Sequence, residues 1–357
     1  MNTPANEVAL PDKGESPTPL VSKNENRINV FVGRFGLRAG WGIAIYFVSV
    51  VLSSIIFNVV ILAATGRSVE VVARYKAHNV IHKPLGLAHQ VTTVIALDST
   101  AISAVLGLAG VAFASWLLSL IERRRIGVYG IGRLRLTDFL LGSLSGLTSL
   151  SLLIGLLSAG NYLVFDSRAL NGPIVAIYGI AWLITYLIVG LLEEYLNRGY
   201  LQYTLTRGLM SLGERVSATH SREIAFGIAA VAVSTLFAAG HLFNPGESAV
   251  GIIATFLLGI VFSYALWRTG SLWWAIGFHM FWDWAQSFLF SVPDSGALSA
   301  GRLFQSHPRG DQLLSGGSVG PEGSLLVIPT LLLVMLTIRI FTRPDLQPPL
   351  KPRSRIP

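Results

Sequence analysis

The chain has 357 residues, 52% of them hydrophobic and 13% charged, with a formal net charge of +8 and a mean hydropathy of +0.59. Soluble domains carry about 25% charged residues, so this composition excludes an ordinary soluble globular protein and makes the bilayer the natural solvent. The basic residues sit between apolar runs and near the two ends, as juxtamembrane charge does, which argues against a nucleic-acid partner, and the absence of Cys excludes disulfides and thiolate metal sites.

Residues 1–34 are polar and rich in Pro, Asn, Lys and Glu, and residues 1–38 are expected to form a disordered leader. The first apolar run begins near Ala39, much deeper than the apolar segment of a cleavable signal peptide, and is read as a retained helix. Eight apolar segments follow, at about 39–65, 95–121, 139–159, 173–192, 224–240, 249–267, 271–290 and 324–341. Most reach the ~17–25 residues that cross a hydrocarbon core. Backbone exposed to lipid must satisfy its own hydrogen bonds, so the fold class is all-α: a polytopic transmembrane helical bundle of about eight spans over 39–342. The third segment is dense in Gly and Ser, residues that let transmembrane helices approach closely. Residues 292–323 are rich in Gly, Ser and Pro and read as a flexible outer loop. The basic, Pro-rich tail at 343–357 is expected to lie on anionic headgroups.

Eight spans put both termini on one side. That side collects 20 of the 27 Lys and Arg residues and the other side 7. The excess predicts a multi-pass protein of the cell membrane with both termini in the cytoplasm.

Ionisable groups inside apolar spans are costly and so point to function. Three clusters occur, all in the second half. Glu193-Glu194 is followed by Arg198, and Glu194 and Arg198 stand i, i+4 with the acid first, the favourable order for a helix pair. Glu193 points about 100° away and is free for another partner. His241 closes the fifth segment, four residues after Phe237; a histidine at a helix C-terminus is also explained by the helix dipole. His279 and Asp283 stand i, i+4 within the seventh segment, where the carboxylate can hold the imidazole or merely form a structural pair. At ~1.5 Å per residue, Glu193 lies roughly 18 Å, His241 roughly 25 Å, His279 about 12 Å and Asp283 about 18 Å from the cytoplasmic helix ends, so tilt allows one shared depth.

A carboxylate in apolar surroundings makes a general base. Glu193 with His241 could activate a water, while His279 and Asp283 polarise a scissile carbonyl or stabilise its oxyanion. Arg198 would pair with Glu194 and keep that second acid charged. Nothing resembles a Ser or Cys nucleophile setting, so direct attack by water is the simpler chemistry.

Glu193-Glu194…Arg198, Phe237…His241 and His279…Asp283, in that order on separate apolar segments, resemble the EExxxR, FxxxH and HxxxN/D motifs of the CAAX-processing type II endopeptidases and their bacterial relatives, the CPBP family. The resemblance covers roughly 173–290. It implies an intramembrane endopeptidase acting on membrane-associated or lipidated peptide or protein substrates, with Glu193 as the base. Eukaryotic members typically carry Asn at the last motif position. Asp283 here leaves two roles open: a hydrogen bond to the oxyanion, or orientation of His279. Members have often been labelled metalloproteases, and Glu193, His241 and His279 could supply three zinc ligands with one open position; there is no HExxH, and Glu and His activate water without a metal.

The alternatives are a noncatalytic membrane scaffold or immunity factor with the same fold, and a proton-coupled transporter. The partners expected are the lipid bilayer and a peptide or protein substrate. His78, His82 and His89 fall in the first outer loop and read as solvated, His220 and His307 in polar loops, and Asp98 as interfacial.

Overall fold

A computed structural model describes residues 30–65, 99–244 and 246–342. The expectations for most of the leader, for His78, His82, His89 and Asp98, and for the tail lie outside the described residues.

A two-stranded hairpin, β1 (Val32–Gly33) and β2 (Gly36–Leu37), precedes α1 (Ala39–Thr65). The bundle continues through α2 (Ser99–Ile121), α3 (Leu136–Ala159), β3 (Leu163–Arg168) and α4 (Ile174–Glu194). A π-helical stretch, Tyr195–Leu201, joins α4 to α5 (Gln202–Gly208), so the helical run is unbroken for 35 residues. Then come α6 (Met210–Val216), α7 (Ser221–His241), α8 (Ala249–Thr269) and α9 (Trp273–Trp284), the last extended by a second π-helical stretch, Ala285–Leu289. Strand β4 (Phe304–Pro308), the short α10 (Gln312–Ser315) and α11 (Val327–Phe341) complete the described chain. Helix ends follow local chemistry. The Ser248 hydroxyl accepts from the Gly251 amide to start α8, and Gly270 at φ 65° stops it.

Among the described residues, six helical runs are long and apolar enough to cross a membrane: those starting at Ala39, Ala101, Leu136, Ile174, Ser221 and Ala249. The expected seventh and eighth spans correspond to shorter helices, α9 with its π extension and α11. The all-α polytopic bundle stands, with six full-length spans.

Small residues set the helix spacing. A Cβ on Gly142 or Gly146 of α3 would collide with the carbonyl oxygens of Trp274 and Phe278 on α9, and one on Gly277 would strike the Phe139 carbonyl on α3. The two backbones therefore touch, as small-residue interfaces in membranes allow. Around this seam Leu150, Leu153, Phe262, Trp274, Phe278 and Trp282 form the main apolar core.

At the hairpin end of the bundle, Glu122 is buried and meets two arginines. Its carboxylate accepts from Arg124 Nε at 2.9 Å, from both terminal nitrogens of Arg207, and from the Tyr200 hydroxyl at 3.3 Å. Arg124 and Arg207 also donate to the Phe35 carbonyl, which ties the hairpin to the turn after α2 and to α5.

At the opposite end, β3 and β4 pair antiparallel from Leu163↔Pro308 to Arg168↔Phe304. Residues 292–323, expected as a flexible loop, instead form a folded cap. A backbone ladder, a helical turn and side-chain bonds replace the water contacts that a polar composition implied.

Gly142→Ala is expected to destabilise the bundle by about 1–3 kcal/mol through overpacking, read as a lower thermal midpoint in detergent micelles. Gly155 on the same helix has open space at its Cβ position, so Gly155→Ala should be neutral or mildly stabilising.

Candidate active site

The end of α4 and the middle of α9 bring the acids and one histidine together. Glu194 is fully buried, and its Oε1 accepts from Arg198 Nη1 at 3.0 Å and from His279 Nδ1 at 3.1 Å. The other face of the His279 imidazole presents Nε2 to Asp283 Oδ2 at 3.4 Å and to Glu193 Oε2 at 3.7 Å. Three carboxylates from two helices thus surround one ring. The Phe262 ring stacks on that imidazole, 5.5 Å between centroids, and fixes its plane.

The π-helical stretches begin immediately after Glu194 and after Trp284. Such wide turns recur at functional sites because they re-aim the side chains next to them. Arg198 lies within the first. Its guanidinium is buried between the rings of Phe237, 4.3 Å from the centroid, and Phe262, at 5.2 Å. The sequence pair Phe237…His241 therefore does two jobs: the phenyl ring covers Arg198, and the Phe237 carbonyl holds His241. A carbonyl only accepts, so the 2.8 Å contact from His241 Nδ1 places a proton on Nδ1; in the neutral ring Nε2 then carries the lone pair.

Glu193, His241, His279 and Asp283 all line one cavity of about 870 Å³. The expected set is thus brought together unevenly. Glu193, Glu194, Arg198, His279 and Asp283 form a contiguous cluster, while His241 forms another part of the wall and makes no ion pair with Glu193. Among the described residues no group of three or more His, Asp or Glu side chains is placed to hold a metal ion, so the three-ligand zinc set is not assembled.

The cap supplies two further carboxylates that sequence reasoning missed. Asp294 and Glu322 both line the cavity. Glu322 accepts from Trp282 Nε1 at 3.0 Å and from the Ser295 hydroxyl at 2.9 Å, and Asp294 from the Ser287 hydroxyl at 3.1 Å. Burial, reinforced by the Glu322 charge, pushes the Asp294 carboxyl up to about 7. Both acids lie in a Gly/Ser-rich stretch without helical periodicity, so no local signal marks them. His220 and His307 are away from the cavity: His220 contacts the Thr219 hydroxyl, and His307 contacts Asp166 across β3 and β4.

Removing one partner of a buried pair leaves an uncompensated charge, at a cost of about 3–5 kcal/mol. Arg198→Met should therefore lower the unfolding midpoint strongly. The double variant Glu194→Leu/Arg198→Met should regain most of that stability, measured by thermal unfolding in micelles, while still mis-setting His279, whose Nδ1 then lacks its acceptor.

Residues 175–285 match the family Rce1-like, described as type II CAAX prenyl endopeptidase Rce1-like. Comparisons with curated proteins and with solved structures gave no match. The matched stretch contains Glu193, Glu194, Arg198, His241, His279 and Asp283 and ends before the cap. The six long apolar helices among the described residues and this match support a multi-pass membrane protein that carries, over residues 175–285, a stretch similar to the type II CAAX prenyl endopeptidases.

Proposed function

We propose that the protein hydrolyses peptide bonds of membrane-associated or lipidated peptides with a water activated by Glu193 and His241. The observation that carries this reading is the convergence of Glu193 and His279 on one cavity, with His279 held from behind by Glu194. Glu193 is the accessible acid of the pair, 30% exposed at its side chain against none for Glu194. A base needs reach and a lone pair facing the substrate; Glu193 has both, and His241 Nε2 adds a second acceptor on the same wall.

In the proposed reaction Glu193 takes a proton from water as the oxygen attacks the scissile carbonyl carbon. Charge develops on the carbonyl oxygen, where the Nε2–H of His279 meets it; with Nδ1 already donating to Glu194, the ring acts as an imidazolium, protonated on both nitrogens. The carbon–nitrogen bond then breaks, and the proton held by Glu193 passes to the leaving amine. Asp283, 3.4 Å from Nε2, serves as a positioning residue that sets the ring's angle. Arg198 holds Glu194 charged, and Glu194 holds Nδ1. The excess of Lys and Arg on one side, 20 of 27, supports an orientation in the cell membrane with both termini cytoplasmic.

The test is cleavage of a peptide library, with and without lipidated termini, by purified protein in liposomes. Glu193→Gln and His279→Ala should each reduce turnover about 100- to 10,000-fold, the range for loss of general acid–base and oxyanion groups, and a chelator should leave wild-type turnover unchanged. Undiminished cleavage by Glu193→Gln would sink the mechanism. Cleavage abolished by the chelator and restored by zinc would replace it with a metal-dependent one. A scaffold would cut nothing, and a transporter would instead move protons across the liposome.

A further inference from the structure

Helix α8 carries none of the motif residues, yet it packs directly on Arg198. Its Phe262 lies against the guanidinium from one helix, as Phe237 of α7 does from another. One turn before each ring stand Gly259 on α8 and Ser234 on α7, both buried. A Cβ on Gly259 would lie 2.9 Å from Arg198 Nη2 and 2.8 Å from Ser234 Cβ and Oγ. Those distances are well inside ordinary contact. The free end of a flexible side chain could give way at little cost, but this end is held. Arg198 is 1% exposed, and its Nη1 donates to Glu194 Oε1 at 3.0 Å. Its Nη2 donates to no described group, so shape rather than bonding fixes that edge.

The neighbours of α8 hold it where it stands. The Ser263 hydroxyl, one turn beyond Gly259, contacts Gln202 Oε1 on α5 at 2.9 Å, and Phe262 packs edge-on against Phe278 of α9. A displaced guanidinium would also pass its movement on through a single atom. Glu194 Oε1 accepts both from Arg198 Nη1 and from His279 Nδ1, while Oε2 has no hydrogen-bond partner among the described residues. Gly259, Ser234, Arg198 and Glu194 do not line the cavity, whereas His279 does. A change at Gly259 therefore reaches the cavity by way of the imidazole.

We infer that Gly259 is a positioning residue: the space left by its missing Cβ seats the Arg198 guanidinium, and through Glu194 Oε1 it sets the ring of His279. Gly259→Ala would push Nη2 away by roughly 0.5 Å or more to restore ordinary contact, and Glu194 and His279 would follow. The coupling of Gly259 to His279 stands by itself; its effect on turnover rests on the reading that this cavity is catalytic. Misplacing a reacting group by about 1 Å costs up to about 100-fold. Gly259→Ala should therefore lower kcat about 10- to 100-fold and leave KM close to that of wild type, because the seat lies outside the cavity wall.

The experiment reads the imidazole directly. The full chain is prepared with isotope-labelled histidine in zwitterionic nanodiscs, and the ring nitrogen and Nδ1–H resonances of His279 are assigned by their loss in His279→Gln. Thermal midpoints are recorded on the same samples, together with kcat and KM on the library peptide that wild type cuts fastest. Gly259→Ala should move the His279 resonances and lower the midpoint. The double variant Gly259→Ala/Ser234→Gly removes the Ser234 atoms that the new methyl strikes, so it should regain much of the midpoint. Its His279 resonances should stay displaced, because the methyl still meets Arg198. Gly227→Ala on α7, where a Cβ has open space, should match wild type in every readout. Wild-type His279 resonances in Gly259→Ala, resonances that return together with the midpoint in the double variant, or an equal displacement in Gly227→Ala overturns the inference. Displaced resonances in a wild-type background that cuts no peptide would leave the seat standing and remove the protease reading. Cleavage that depends on Glu193 with undisplaced resonances would do the reverse.

Discussion

A carboxylate with no exposed surface survives in the middle of an apolar bundle only if its charge is met, and Glu194 is met twice. Arg198 reaches it along its own helix and His279 reaches it from α9. An isolated charge there would cost several kcal/mol, so the pair commits α4 and α9 to one relative depth and rotation. The rest of the site hangs on that commitment. With Nδ1 of His279 fixed behind, Nε2 can face only Asp283, Glu193 and the cavity.

Packing does the complementary work. Gly142, Gly146 and Gly277 let α3 and α9 touch backbone to backbone, which holds α9 against a second helix besides α4. Phe237 and Phe262 enclose the guanidinium, so its charge is spent on Glu194 instead of on water or substrate. The charged groups are thereby sorted. Arg198 and its partner Glu194 stay behind the wall, and Glu193 and Asp283 line it.

The cap changes how the cavity should be viewed. A stretch whose composition reads as loop is held by the β3–β4 ladder and by bonds from Trp282, Ser287 and Ser295. It brings two acids to a space that Glu193 reaches from α4, His241 from α7, and His279 and Asp283 from α9. The family match ends at residue 285, and the cap beyond it lines the same cavity.

The sequence by itself determined the solvent, the helical class, the order of the spans and the identity of the polar residues within them. Those are local properties: apolar run length, the i, i+4 spacing of Glu194 with Arg198 and of His279 with Asp283, and the cost of charge in lipid. It read two helices as full spans where α9 and α11 are shorter, because hydropathy continues through residues that leave the regular helix. Only the tertiary structure decided that Glu194, not Asp283, takes Nδ1 of His279, that His241 lines the cavity without joining the ion-pair cluster, and that Asp294 and Glu322 face the same space. Each of these depends on the rotation and depth of one helix against another, or on a strand pairing across more than a hundred residues, and contacts of that range leave no periodic trace in the chain that makes them.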